Sequence, residues 1–174
     1  MSLSIARVAI VKASQIRNEL SIDSPVGRLR LVASDEGLQG IEVGRGANKS
    51  ASRDITAPDK SANMVLASAK KQLDEYFAGK RTKFDVALDL RGTEFQVRAW
   101  KALCRIPYGK TISYGQQAKN IQNPKAFRAV GSANGKNPIP IIVPCHRVLA
   151  SDGTLGGYSL GLKMKEQLLE LEAR

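Results

Sequence analysis

Residues 113–135, SYGQQAKNIQNPKAFRAVGSANG, read as two short helices joined by a tight turn. Ser113 is placed to cap a helix running through Ile121, because its side-chain oxygen can accept from the free amides of the first turn. Asn123-Pro124 starts the second helix, with Pro124 at the first helical position. That helix runs through Arg128 to about Asn134 and stops at Gly135. A second helix that is basic on its solvent side is helix-turn-helix grammar, although many helix pairs with this pattern have no nucleic-acid role. Upstream, Thr93 caps a helix from Glu94 to about Cys104, and Pro107-Tyr108-Gly109-Lys110 is a turn.

Downstream, Asn137-Pro138 leads into the apolar run Ile139-Pro140-Ile141-Ile142-Val143 and then Pro144-Cys145-His146-Arg147. The chain's one histidine therefore lies beside one of its two cysteines. Thiol chemistry needs a thiolate, and a thiolate needs a base or a positive field. The plainer reading of Cys145 is a buried core thiol, which the apolar run favours. On an extended segment, neighbouring side chains point to opposite sides, so His146 would reach Cys145 through a water. Glu172, on a final helix from Leu162 to about Leu171, could hold the other imidazole nitrogen, giving triad logic with a water inserted. Cys104 and Trp100 read as core packing. One histidine and two distant cysteines supply no metal-ligand spacing, so neither a metal nor another cofactor is expected.

The first half of the chain has a different pattern. Arg28-Leu29-Arg30-Leu31-Val32-Ala33 alternates polar and apolar after a Pro25-Val26-Gly27 turn. Gly37 to Val43 suggests its partner strand across Asp35-Glu36-Gly37, and Arg17 to Ile22 a third. Val8 to Val11 is apolar and ambiguous. Residues 44–62 read as an exposed loop, and Asn63 as the cap of a helix to Phe77. Phe84 to Leu88 reads as a further strand, and residues 89–92 as a domain boundary. The expected division is a structural α/β domain over residues 1–90 and a chemistry-bearing domain over 91–174.

Composition bounds the rest. At 174 residues with 43% hydrophobic content, the chain can bury a real core. No stretch approaches the ~20 apolar residues of a membrane span. The first residues lack the pattern of a signal peptide, and two cysteines make no disulfide framework, so a cytoplasmic, reduced setting is expected. The net charge is +11. Residues 91–174 hold 13 Lys/Arg against 5 Asp/Glu, so the excess sits with Cys145. That favours a polyanionic partner, nucleic acid ahead of an anionic membrane.

Pro144-Cys145-His146-Arg147-Val148, with the apolar run before it, closely resembles the active-site signature of the O6-alkylguanine-DNA alkyltransferases, or methylated-DNA–protein-cysteine methyltransferases. The likeness extends through Arg128-Ala129-Val130-Gly131, Asn137-Pro138, residues 106–114, Gly157-Tyr158-Ser159 and Lys165-Glu166. It is nearly gapless from Thr93 to Glu172 and looser before. Asn134 departs from the family pattern, and no cysteine or histidine precedes Cys104 to hold the zinc of some members.

The resemblance implies an α+β fold: a small ribonuclease-H-like domain, then a mainly helical, winged-helix-like domain with the helix-turn-helix. It implies direct, single-turnover repair by a monomer. The protein would bind the minor groove of double-stranded DNA without sequence preference, flip the alkylated guanine (O4-alkylthymine is a second conceivable substrate) and move the alkyl group to Cys145. His146 would deprotonate Cys145 through a water, Glu172 would orient His146, and Asn137 would fix the turn before the active-site strand. Tyr114 would donate to the base, the Ser159 amide would face O6, and the carbonyls of Cys145 and Val148 would accept from the guanine amino group. Pro140 and Tyr158 would line the alkyl pocket. Arg128 would enter the base stack, with Ala129, Asn123, Lys125 and Ser132 beside it on DNA. Three other readings compete: a lesion-binding recruiter, which would lack the cysteine; an alkylation-sensing transcription factor, for which no added domain is visible; and a Cys–His hydrolase, which would need an oxyanion hole.

Overall fold

The computed structural model describes residues 18–44 and 60–174. Three strands, β1 (Asn18–Ile22), β2 (Leu29–Ala33) and β3 (Leu38–Val43), form an antiparallel meander in the order β1-β2-β3. Period-2 alternation sets its faces. Leu29, Leu31 and Ala33 are fully buried, while Arg30 on the other face bridges Glu19 (2.9 Å) and Glu42 (2.6 Å) on the flanking strands. Helix α1 (Lys60–Phe77) covers the apolar face with Ala62, Leu66, Ala69, Leu73 and Tyr76, spaced alternately four and three apart. The three expected strands thus form, over Asn18–Ile22, Leu29–Ala33 and Leu38–Val43 among the described residues. The ambiguous Val8–Val11 stretch and most of the expected loop at 44–62 lie outside the described residues.

Two expectations for this half are corrected. Helix α1 already includes Lys60, Ser61 and Ala62, so Asn63 lies inside it rather than capping it. Residues 84–88 form no strand, only one parallel bridge between Leu88 and Leu38. Gln72 explains this: its side chain accepts from Asp85 N–H (2.7 Å) and donates to Asp85 C=O (3.1 Å), so the backbone there bonds a helix side chain instead of a ladder.

The second half is built on α2 (Glu94–Leu103), α3 (Tyr114–Asn120), α4 (Phe127–Gly135) and α5 (Leu162–Glu172). Thr93 caps α2 in a reciprocal capping box with Gln96, and Ser113 caps α3 by accepting from Gln116 N–H (3.1 Å). Pro124 is not at a first helical position, because α4 begins three residues later. Asn123 to Ala126 closes a turn (Ala126 N–H to Asn123 C=O, 2.9 Å), and Pro124 takes its second position, which suits a fixed φ. Trp100 is core as expected, and its indole N–H reaches Ala133 C=O at 2.8 Å, tying α2 to α4. Asn134 exchanges two hydrogen bonds with Gln117 (3.0 and 2.8 Å), which fastens α4 to α3 in the interior. Cys104 is not core: it is exposed at the C-terminal cap of α2. One apolar core runs through both halves, joining Leu31, Leu66 and Tyr76 to Trp100, Ile139 and Leu168.

Candidate active site

The segment carrying Cys145 is not extended. Residues 145–147 form a single 3-10 turn, followed by β5 (Val148–Leu149), which pairs in parallel with β4 (Ile112–Ser113). That pairing joins the residues just before Tyr114 to those just after His146. Ile141, inside the preceding apolar run, has φ 76°, a conformation that β-branched residues avoid. Strain of this kind, about 1–3 kcal/mol, persists only where surrounding packing enforces it. Here Ile139, Ile141 and Val143 are fully buried.

Asn137 holds the turn. Its Nδ2 donates to Val143 C=O (2.7 Å) and to Cys145 Sγ (3.1 Å), and its Oδ1 accepts from Ile139 N–H (3.0 Å). One side chain therefore shapes the loop and touches the sulfur. Cys145 is 6% exposed and opens into a cleft of about 350 Å³ lined by Tyr114, Gly131, Asn134, Gly135, Gly157, Tyr158 and Ser159. Tyr114 stands against Gly131 of α4 and Gly156 of the following loop, and its hydroxyl donates to Gly157 C=O (3.3 Å).

Behind the sulfur lies a buried charged network. His146 Nε2 is 2.8 Å from Glu172 Oε1. Arg147 reaches the same carboxylate with Nε to Oε2 (2.8 Å) and Nη2 to Oε1 (2.9 Å). The Tyr76 hydroxyl donates to Oε1 (2.8 Å) and Gly109 N–H to Oε2 (3.1 Å). Gly109 has φ 68°, and a Cβ there would meet the Glu172 carbonyl oxygen at 2.8 Å, so glycine is required on two counts.

Burial alone would raise the Glu172 pKa, but the hydrogen bonds from His146 and Arg147 outweigh it and hold it at about 2. An ionised carboxylate only accepts, so His146 Nε2 must carry the ring proton and Nδ1 must be the basic nitrogen. Nδ1 is buried and has no partner among the described residues. Burial lowers the His146 pKa, so the ring is neutral and able to take a proton.

Burial also pushes the Cys145 thiol up; Asn137, Tyr158 and the Lys165 charge pull it partly back. The resting sulfur is therefore a thiol whose proton must leave during reaction. Among the described residues the Tyr158 hydroxyl has no hydrogen bond of good geometry, yet it lies near enough to the sulfur for each to affect the other's ionisation. Lys165 is fully buried, donating to Val148 C=O (2.6 Å) and Leu155 C=O.

The structure brings Cys145, His146, Glu172, Asn137, Tyr114, Tyr158 and Ser159 together. Pro140 and Val148 are buried but do not line the cleft, and the Val148 carbonyl already accepts from Lys165. Arg128, Ala129, Asn123, Lys125 and Ser132 are all exposed on and before α4. The expected site omitted Tyr76, Gly109, Arg147 and Lys165. Lys165 had a visible signal, since it shares a stripe of α5 with Leu168 and Glu172 and so places a charge on a buried face. Tyr76 had none, lying 96 residues from its partner.

Known proteins match both halves of this arrangement. Residues 19–90 match the ribonuclease-like domain of 6-O-methylguanine DNA methyltransferase, and residues 94–174 its DNA-binding domain. A methylated-DNA–protein-cysteine methyltransferase of Methanosarcina acetivorans is 49% identical over 152 residues, 86% of this chain and 94% of that protein. One from Mycobacterium tuberculosis is 51% identical over 152 residues, 87% and 90% of the two chains. The crystal structure of Mycobacterium tuberculosis OGT in complex with DNA superposes with a TM-score of 0.76 at 50% identity, covering 89% of this chain and 92% of that one. The chain belongs to the 6-O-methylguanine DNA methyltransferase family and is a methylated-DNA–protein-cysteine methyltransferase, repairing O6-methylguanine in DNA directly.

Proposed function

We propose that Cys145 is the acceptor cysteine and that each molecule acts once. The observation that carries this is Cys145 Sγ, which lines the cleft and accepts from the Asn137 amide (3.1 Å), one residue before a neutral His146 whose Nδ1 has no partner among the described residues. The protein binds DNA, and in this reading it does so through the minor groove, without sequence preference, as a monomer. The lesion is buried in a duplex, so the base must leave the stack before a protein atom can reach it. Arg128 fills the space left behind, and Asn123, Lys125, Ala129 and Ser132 contact the strand around it. Residues 91–174 carry the chemistry, while residues 1–90 supply scaffold and, through Tyr76, part of the network behind His146.

In the cleft, the extruded guanine meets the Tyr114 hydroxyl and the Ser159 amide. The Cys145 carbonyl accepts from its amino group, while the Val148 carbonyl holds Lys165 behind the cleft. The thiol proton passes through a water to His146 Nδ1, and Glu172 stabilises the imidazolium through Nε2. The sulfur attacks the methyl carbon, an S–C bond forms, and the C–O6 bond breaks with its electron pair going to guanine; the guanine anion takes up one proton, balanced by the thiol proton that His146 then returns through water. The thioether stays on Cys145. Pro140 supports the alkyl side of the pocket from behind, and Tyr158 lines it.

The test is mass spectrometry after incubation with a duplex carrying O6-methylguanine. The expected result is a gain of one methyl group on Cys145, stopping at one equivalent, with Cys145→Ala binding duplex but gaining nothing. Continued turnover, or a methyl group on Cys104, would reject the assignment.

A further inference from the structure

Phe127 is the first residue of α4, and 48% of it is exposed. Only Met64 and Leu162 are comparably exposed large apolar side chains among the described residues. Phe127 belongs to neither apolar cluster of those residues, although α4 buries Val130, Ala133 and Asn134 on its inner side.

Its surroundings specify what could cover the ring. Helical spacing puts Phe127 on the stripe of Gly131, one turn before the point where the Tyr114 ring touches α4 at the cleft wall. Arg128 holds its guanidinium 5.7 Å from the ring centroid, and Lys125 is exposed two residues earlier. Beyond them, Ala129, Gly131 and Ser132 are too small to hold a surface away from the helix. An apolar ring flanked by two cations and followed by small residues suits a polyanion with stackable faces. Minor-groove proteins open base steps with apolar wedges of this kind.

We propose that Phe127 is a second wedge beside Arg128, inserting its ring against the nucleotide next to the flipped lesion and holding the base step open. It is a positioning residue, since it does not touch the reacting atoms. The proposal rests on α4 being the helix that enters the groove.

The experiment compares the parent protein, Phe127→Ala and Arg128→Ala. It measures transfer from O6-methylguanine in duplex, transfer from free O6-benzylguanine, fluorescence of 2-aminopurine placed beside the lesion, and salt dependence of binding to undamaged duplex. Phe127→Ala should slow duplex transfer about ten-fold, the scale of one lost base–aromatic stack. Free-base transfer should change by less than about two-fold, because a lone base has no stack to open, and 2-aminopurine beside the lesion should stay quenched, because without the wedge it remains stacked in the duplex. The slope of log affinity against log salt should stay unchanged for Phe127→Ala and become shallower for Arg128→Ala, since only the latter removes a cation. If Arg128→Ala is selectively defective on duplex and Phe127→Ala is not, the wedge is wrong and the reading of α4 stands. If neither variant is selective for duplex, both are wrong. An equal loss on duplex and free base for Phe127→Ala would also overturn the wedge, because it would indicate damage to the cleft.

Discussion

Glu172 shows how much one side chain can organise. Its two oxygens receive His146, Tyr76 and Arg147 on Oε1, and Arg147 and Gly109 on Oε2. A carboxylate with a side chain 1% exposed is tolerable only with such a set of donors. The donors are not equivalent. Arg147→Met removes the bidentate cation and should cost about 3–5 kcal/mol of stability, as when a buried ion pair loses one partner. Tyr76→Phe removes one neutral donor and should cost about 1–3 kcal/mol. Denaturant unfolding of both variants tests that ranking, and a larger loss for Tyr76→Phe would show that the arginine is not the main counter-charge. Cys145, His146 and Glu172 were singled out from the tetrapeptide and its likeness to a family, and the structure joins His146 to Glu172 at 2.8 Å. The division of labour among the partners of Glu172 was not, because it depends on which groups reach the same two oxygens.

Two helices of the DNA-binding half, α2 and α3, are held at their N-terminal ends by side chains that the sequence already displays. Thr93 and Gln96 satisfy each other's backbone amides at the start of α2 (3.3 and 2.9 Å). Thr93→Ala should therefore lower stability by about 1 kcal/mol, readable as a shift in denaturation midpoint; no shift would mean the exposed box is replaced by water at no loss. The end of α3 is less regular. Gln122 has φ 60°, with its amide bonded to Lys119 C=O (2.9 Å) and the Asn123 amide bonded to Ala118 C=O (2.9 Å). This is a Schellman motif with glutamine where glycine is usual. Gln122→Gly should stabilise the protein by about 1 kcal/mol by relieving the left-handed backbone. A destabilisation of that size would mean that the gain in unfolded-state freedom outweighs the relief. The same turn geometry delays α4 to Phe127. Proline at the start of a helical pattern announces either a helix or a turn, and only the hydrogen bonds choose between them.

At the scale of the molecule, the two halves share one core, and the Tyr76–Glu172 bond joins them inside it. That architecture carries a pH dependence. Glu172 binds its proton at about 2 in the folded chain against an ordinary 4.5, so its stabilising contribution is complete above about 4.5 and is lost as pH falls toward 2. His146 is held below its ordinary 6.5, so below that value the unfolded chain takes up more protons, and stability falls in the same direction. Unfolding midpoints should therefore decline steadily from pH 7 to pH 3, and a flat profile would contradict the neutral histidine and ionised carboxylate. Among the described residues, no helix is long and apolar enough to cross a membrane.

The sequence alone determined what depends on neighbours in the chain: the alternating strand β2 and its two partners, the caps of α2 and α3, the Pro144–Arg147 tetrapeptide and the basic second half. Those features arise from backbone propensity and side-chain chemistry over a few residues, which is why they survive without a structure. Tertiary structure alone decided that Cys145 sits on a 3-10 turn under Asn137, that its resting sulfur is a thiol, that His146 Nδ1 is the basic nitrogen, and that Phe127 is left half-exposed outside the apolar core. Each of those depends on desolvation or on hydrogen bonds between distant residues, and both arise only when the whole chain packs.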